Sequence, residues 1–352
     1  MEFMMRRRLI ILGFILFILS FHSLYPVEMK LLKQWIHNVD VGGEISHCLL
    51  DKYSNIILVH RPGISLVNEK KITTFAEWGQ GPDQINSVYA ICDYQGDLAV
   101  FELNNQIKLF KMEGETYHEI NKKWLKINPG IYFLRDAFYA QGRFFLGGLF
   151  TIKEEREKIY AALMMAYNDL SGQVEEKFGL VYYPKPSDHY IIRKHFAIYG
   201  DHLLFLPQNE LKVYMISLNN LNLEKTVELK PPGFYIPMPK TFFLLKNYKD
   251  DNEYWKTIVT WMSSYSAVTR MVVLQNRYLI LQIRTCNSKQ KKFALLFYDI
   301  NNNFFLSNVI YTNDLLLAGE GDKALLYFFN GGDPMIDEEA GKLIINIYQI
   351  LH

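Results

Sequence analysis

The residues best suited by type to meet a ligand are His47, Arg135, Tyr183, Arg193, His195 and Arg270. They are too far apart to form a contiguous motif, so only the fold can bring them together. The three arginines offer planar guanidinium groups that bind a carboxylate or sulfate through paired hydrogen bonds. Asp136, beside Arg135, offers the competing outcome in which a nearby acid neutralises them. His47 and His195 have the chemistry of a metal ligand or general base, but either role needs further donor groups within a few ångströms. No such set is visible, and two ordinary hydrogen-bonded histidines beside a solvent channel are the expectation. Tyr183, with Tyr182, His189, Trp255 and Trp261, supplies flat rings that suit sugars or peptides and suit packing against strands equally well.

Contiguous reaction motifs are lacking. The chain has no G-x-S-x-G turn, no H-E-x-x-H pair, no phosphate loop and no dinucleotide fingerprint. Asp333, Asp337, Glu338 and Glu339 are acidic but lack calcium-loop spacing, which makes them a solvated hairpin tip. Cys48, Cys92 and Cys286 form no C-x-x-C pair; buried free thiols are expected, with a Cys48–Cys92 bridge as the alternative in an oxidising compartment. No cofactor or metal is implied. With 38 basic and 37 acidic residues the formal charge is +1, so no global field recruits nucleic acid or an anionic surface. The basic tip at Lys289, Lys291 and Lys292 is too small to alter that.

The elements that must position these residues are visible by recurrence. Short apolar runs at Ile56–Val59, Leu98–Phe101, Phe144–Leu146, Leu203–Leu206, Tyr278–Leu281 and Ala324–Phe328 are opened in turn by Asn55, Asp97, Arg143, His202, Arg277 and Lys323. They begin at steps of roughly 40 to 75 residues, the period of propeller blades with insertions. Each run reads as the second strand of a four-stranded meander; in the first unit the strands are 44–50, 56–59, 64–67 and 72–78. The second unit repeats the pattern at 86–92, 98–101, 107–112 and 119–124. Corners such as Gly200-Asp201 and Asn301-Asn302-Asn303 hold residues that accept positive φ or bond their own backbone. Residues 159–167, rich in Ala and Met, could locally be read as a helix.

The last unit stops one strand short. It offers 314–319, 324–329 and 343–350, and a spare segment, Met29–Ile36 (MKLLKQWI), stands at the other end of the chain. In a ring of blades that segment would pair as the outer strand of the last blade and remove the open seam. The expected architecture is an all-β, six-bladed β-propeller of four-stranded antiparallel blades, one domain over residues 29–352, closed by its N-terminal strand. Residues 231–264 form an insertion between blades four and five, with helical composition at 250–261 and a degenerate seventh blade as the alternative. In such a ring His47, Arg135, Arg193, His195 and Arg270 lie on innermost strands, and Tyr183 lies in a loop over the channel mouth.

Residues 1–25 are of a different kind. Arg6, Arg7 and Arg8 precede an apolar stretch, Leu9–Leu19, in the order of a secretory signal. That stretch is shorter than the roughly 20 residues a spanning helix needs. A secreted or periplasmic protein is expected, with an uncleaved N-terminal anchor as the alternative. The 49% hydrophobic and 15% aromatic content supplies a core of flat, pleated surfaces.

Between the first two units stands Trp78-Gly79-Gln80-Gly81-Pro82-Asp83-Gln84-Ile85, followed by a strand and by Asp93-Tyr94-Gln95-Gly96-Asp97-Leu98. These segments resemble bacterial six-bladed propellers related to the NHL-repeat and TolB-like proteins, which commonly carry a GxGPGEF-like link before a strand ending in D-x-x-G-x-L. Asp83, Gln84 and Ile85 stand where that family has Gly, Glu and Phe. The resemblance implies an exported propeller and adds little chemistry. The functional expectation is a monomeric binding or protein-interaction module that takes a protein, peptide or carbohydrate ligand at the channel mouth, without nucleic acid, and meets a membrane only through its N-terminal segment. The alternative is a propeller enzyme, a lactonase-like hydrolase or a lyase, with a site assembled at the same mouth.

Overall fold

A strand that is apolar at every position must be covered on both faces, and stacking sheets side by side is how a β protein does this. The computed structural model describes residues 27–37, 45–60, 62–81, 83–102, 106–124, 131–151, 159–168, 174–183, 194–207, 210–237, 253, 256–257, 260–261, 263–286, 291–321, 323–329 and 343–351. For 131–136, 147–151, 159–168, 174–183, 194 and 207 only the backbone is described.

Strands are numbered along the chain, beginning with β1 (Glu28–His37). The first sheet holds β2 (His47–Leu50), β3 (Ile56–His60), β4 (Gly63–Val67) and β5 (Ile72–Trp78), with a two-residue β6 (Gln84–Ile85) added parallel to β5. The second holds β7 (Val88–Tyr94), β8 (Asp97–Glu102), β9 (Gln106–Glu113) and β10 (Thr116–Trp124). The third holds β11 (Ile131–Ala140), β12 (Arg143–Thr151), β13 (Ile159–Asn168) and β14 (Val174–Tyr183). The fourth holds β15 (Lys194–Tyr199), β16 (His202–Pro207), β17 (Lys212–Ser217) and β18 (Leu223–Glu228). The fifth holds β19 (Ala267–Leu274), β20 (Tyr278–Arg284), β21 (Phe293–Asp299) and β22 (Phe305–Thr312). The sixth holds β23 (Leu315–Glu320), β24 (Leu325–Phe329) and β25 (Leu343–Leu351), with β1 as its outer strand. Each sheet is an antiparallel meander, and the first strands β2, β7, β11, β15, β19 and β23 touch one another in a closed cycle. The molecule is an all-β propeller with four-stranded antiparallel blades.

The apolar runs recognised in the sequence are the second strands. Successive side chains of a strand point to opposite faces, so each run divides itself between two neighbours. Ile56 and Leu58 pack with Leu315 and Leu317 of the sixth sheet, whereas Ile57 and Val59 pack with Ile91 and Leu98 of the second. Ala99 and Phe101 join Phe144 and Leu146 of the third sheet, while Phe145 joins Leu203 of the fourth. Leu279 and Leu281 meet Leu204 and Leu206, while Tyr278 and Ile280 meet Leu326 and Phe328. Among the described residues the apolar clusters therefore lie between adjacent sheets, and a fully buried Phe in one of them is worth roughly 1.5–3 kcal/mol.

The seam between chain ends is closed by backbone pairing. β1 runs antiparallel to β25 from Glu28 opposite Leu351 to His37 opposite Leu343, with a bulge between Leu31 and Lys33. Side chains then tie the sixth sheet to the first. Ser54 Oγ donates to Glu320 Oε1 at 2.9 Å, the Cys48 thiol donates to the Leu317 carbonyl, and Lys33 pairs with Glu69.

Turn chemistry fixes the hairpins. The buried Asp51 carboxylate accepts from the Tyr53 and Asn55 amides, each at 2.8 Å, which holds Ser54 at φ 63° and starts β3. In the linker after β5, Gly79 N donates to the Ile85 carbonyl at 2.7 Å and Gln84 Oε1 accepts from Gly81 N. A Cβ on Gly79 would lie 2.2 Å from that Gln84 oxygen, so a larger residue there would displace the Gln84 amide from its bond to Gly81 N. The link between the first two units thus ends as part of the first sheet. Residues 159–167 form strand rather than helix, and the sixth run starts one residue late because Ala324 adopts φ 52° in the turn.

The insertion after the fourth sheet is pinched at its base. Ile236 N donates to Ser266 Oγ at 3.0 Å, and Ser266 N returns a bond to the Ile236 carbonyl at 2.9 Å. Within it, residues 253, 256, 257, 260, 261 and 263 are helical, with Thr257 Oγ1 bonding the carbonyl of Glu253 one turn back.

Candidate functional site

At the centre of the cycle of innermost strands is a cavity of about 700 Å³. Every innermost strand contributes: Cys48 from β2, Tyr89 from β7, Phe138 from β11, Phe196 from β15, Met271 from β19 and Leu317 from β23 all line it. His47, His195 and Arg270 line it as well. The polar groups stand early in their strands, His47 first in β2, His195 second in β15 and Arg270 fourth in β19, while Leu50, Ile198 and Val272 follow later in the same strands. Equivalent strands of a ring run in the same sense, so one end of the cavity is polar and the other apolar.

His195 is buried, and its Nε2 donates to the Val268 carbonyl at 2.8 Å, binding the fourth sheet to the fifth. In the neutral ring this bond places the proton on Nε2 and makes Nδ1 the acceptor. His47 Nδ1 lies 3.2 Å from Ser46 Oγ. Arg270 is half-buried, and its Nη1 donates to the Thr269 carbonyl at 3.2 Å. Among the described residues no carboxylate comes within ion-pair distance of that guanidinium. Burial pushes the Cys48 thiol up to about 11, against the opposing pull of the Arg270 charge, so the guanidinium is felt two sheets round the ring.

Three of the six residues singled out in the sequence, His47, His195 and Arg270, thus meet at one cavity. Arg135 lies on β11, where only the backbone is described, and Arg193 lies outside the described residues. Tyr183, expected in a loop over the channel, is the last residue of β14 opposite Ile159, on the outermost strand of its sheet. His189, Trp255 and the acidic tip at 333–339 lie outside the described residues, and Trp261 packs against Tyr265 with ring centroids 5.1 Å apart and planes tilted by 59°. Cys48, Cys92 and Cys286 are free thiols. Cys48 packs at the junction of first and sixth sheets and Cys92 between second and third, which removes the disulfide alternative. Among the described residues no three His, Cys, Asp or Glu side chains are grouped to hold a metal ion.

Sequence reasoning passed over Tyr89, Phe138, Phe196 and Cys48 as lining residues. Their signal was only position, early or late on an innermost strand, because an aromatic residue in a strand is ordinarily core. Among the described residues no helix is long and apolar enough to cross a membrane.

No protein-family model matches the chain, and no curated protein matches it. Among solved structures, a Bacteroides fragilis protein whose description infers export is similar with a TM-score of 0.50 and 13% identity, over 93% of this chain and 96% of that one. The WD40 β-propeller domain of Doa1 aligns with a TM-score of 0.46 and 11% identity, over 92% of this chain and 97% of that one. At such identities the likeness is one of fold alone.

Proposed function

We propose that this chain is an exported, monomeric, six-bladed β-propeller, one domain from residue 29 to 352, that acts as a binding module with its ligand in the central cavity. The observation that carries the reading is the cavity itself. It has the volume of a small-molecule site, roughly 300–1,000 Å³, and its lining combines polar groups at one end with apolar groups at the other. Six interfaces in a closed cycle support the blade count, and the segment Trp78–Ile85 supports the likeness to NHL-related and TolB-like propellers. The order of Arg6–Arg8 before Leu9–Leu19 supports export. We read residues 231–264 as an insertion between the fourth and fifth sheets, a reading supported by the hydrogen bond from Ile236 N to Ser266 Oγ at its base.

Native mass spectrometry of the protein isolated under mild conditions from producing cells tests this. The wild-type chain should carry a small-molecule adduct, and Ala318→Trp, which places a large ring in the cavity lining, should lose it with unchanged melting. An adduct retained in Ala318→Trp, or a wild-type chain that carries none, overturns the reading.

A further inference from the structure

We infer that the central cavity takes an amphipathic organic monoanion, a carboxylate or sulfonate on an apolar body, with Arg270 holding the head group. The inference rests on the central-cavity reading above. Arg270 uses one of its five N–H donors on a neutral carbonyl, that of Thr269. Among the described residues that line the cavity, none is Asp or Glu, so the one full charge there is positive. A half-buried cation to which no described residue offers a counter-charge is costly, and an anion from outside relieves that cost.

The Cys48 thiol does not substitute for such an anion. With its pKa pushed up by burial to about 11, it stays neutral at physiological pH. Charge count sets the ligand's charge: one guanidinium matches one negative group, and the described lining adds no second permanent cation for a phosphate dianion. Polarity sets its shape. Leu50, Ile91, Ile198 and Val272 offer no donors to a second head group, while Phe138 and Phe196 present rings suited to a flat apolar body.

Two dyes with the same body separate head from tail: 8-anilinonaphthalene-1-sulfonate, a monoanion, and N-phenyl-1-naphthylamine, which lacks the sulfonate. In fluorescence titrations of the full chain at pH 8, the sulfonate should bind at least about tenfold more tightly than the neutral dye, the advantage of a charge-assisted pair. Arg270→Gln should weaken the sulfonate about tenfold and leave the neutral dye within about twofold, with Arg270→Lys in between. Equal binding of both dyes to the wild type, or sulfonate binding unaffected by Arg270→Gln, overturns the inference. The comparison of dyes on the wild type decides the matter even if the variants misfold. Neutral-dye binding that is abolished in Ala318→Trp keeps the cavity reading alive when the anion preference fails. If neither dye binds, or both bind Ala318→Trp unchanged, the cavity reading falls together with the inference.

Discussion

Lys108 shows how much a single buried charge commits the fold. It is 3% exposed, its Nζ donates to the Gln84 carbonyl of the linker, and it stands 3.7 Å from Glu102 and 3.5 Å from Glu119. Removing one partner of such a group leaves the others charged and buried, a loss of about 3–5 kcal/mol. Lys108→Met should therefore lower the urea unfolding free energy at pH 7 by that amount; a loss below about 1 kcal/mol would mean the charges are solvated. Nothing in the segment QIKLFKME distinguishes this lysine from one on a solvated face, because its partners come from Glu102, Glu119 and the linker. His47, His195 and Arg270 were legible for the opposite reason: a polar residue in the first half of an innermost strand has few places to go except the channel. Tyr183 was misplaced because β14 continues to it without a break.

At the scale of elements, glycine positions make the sharpest test of hairpin geometry. Gly63 opens β4 at φ 143°, and a Cβ there would lie 2.1 Å from the Ala76 carbonyl of the neighbouring strand. Gly63→Ala should cost more than about 2 kcal/mol, whereas Gly233→Ala, where a Cβ meets nothing within 4 Å, should stay within about 0.5 kcal/mol. Equal melting temperatures for the two variants would contradict the described hairpin. Strand positions were largely legible from the apolar runs and their Asn, Asp and Gly corners, since turn residues act locally. Residues 159–167 were ambiguous because the helix preference of Ala and Met is only a few tenths of a kcal/mol per residue, and pairing with β12 and β14 outweighs it. The parallel pairing of β6 with β5 was not legible, because two residues give no periodicity to read.

On the scale of the whole molecule, the seam between first and sixth sheets is where stability and acidity meet. Burial alone would raise the Glu320 carboxyl, but hydrogen bonds from Lys323, Ser54 and Tyr327 and the Lys323 charge outweigh it and leave its pKa lowered. A folded pKa below the unfolded one contributes stability above the ordinary Glu range, and that stability is lost as pH falls through the folded value. The melting advantage of the wild type over Glu320→Gln, present at pH 7, should therefore shrink below about pH 4; an advantage that grows in acid would contradict the latch. Closure was legible in the sequence as a missing strand at one end and a spare one at the other, whereas the side chains of the seam, Ser54, Glu320 and Lys33, were not, because only the ring makes them neighbours. The cavity exists only if that ring is closed. Hydrogen exchange of the β1 amides at neutral pH tests closure most directly: residues 28–37 should be protected to the same degree as β25, their partner along the whole strand. Exchange of 28–37 as fast as a frayed terminus, with β25 still protected, would contradict it.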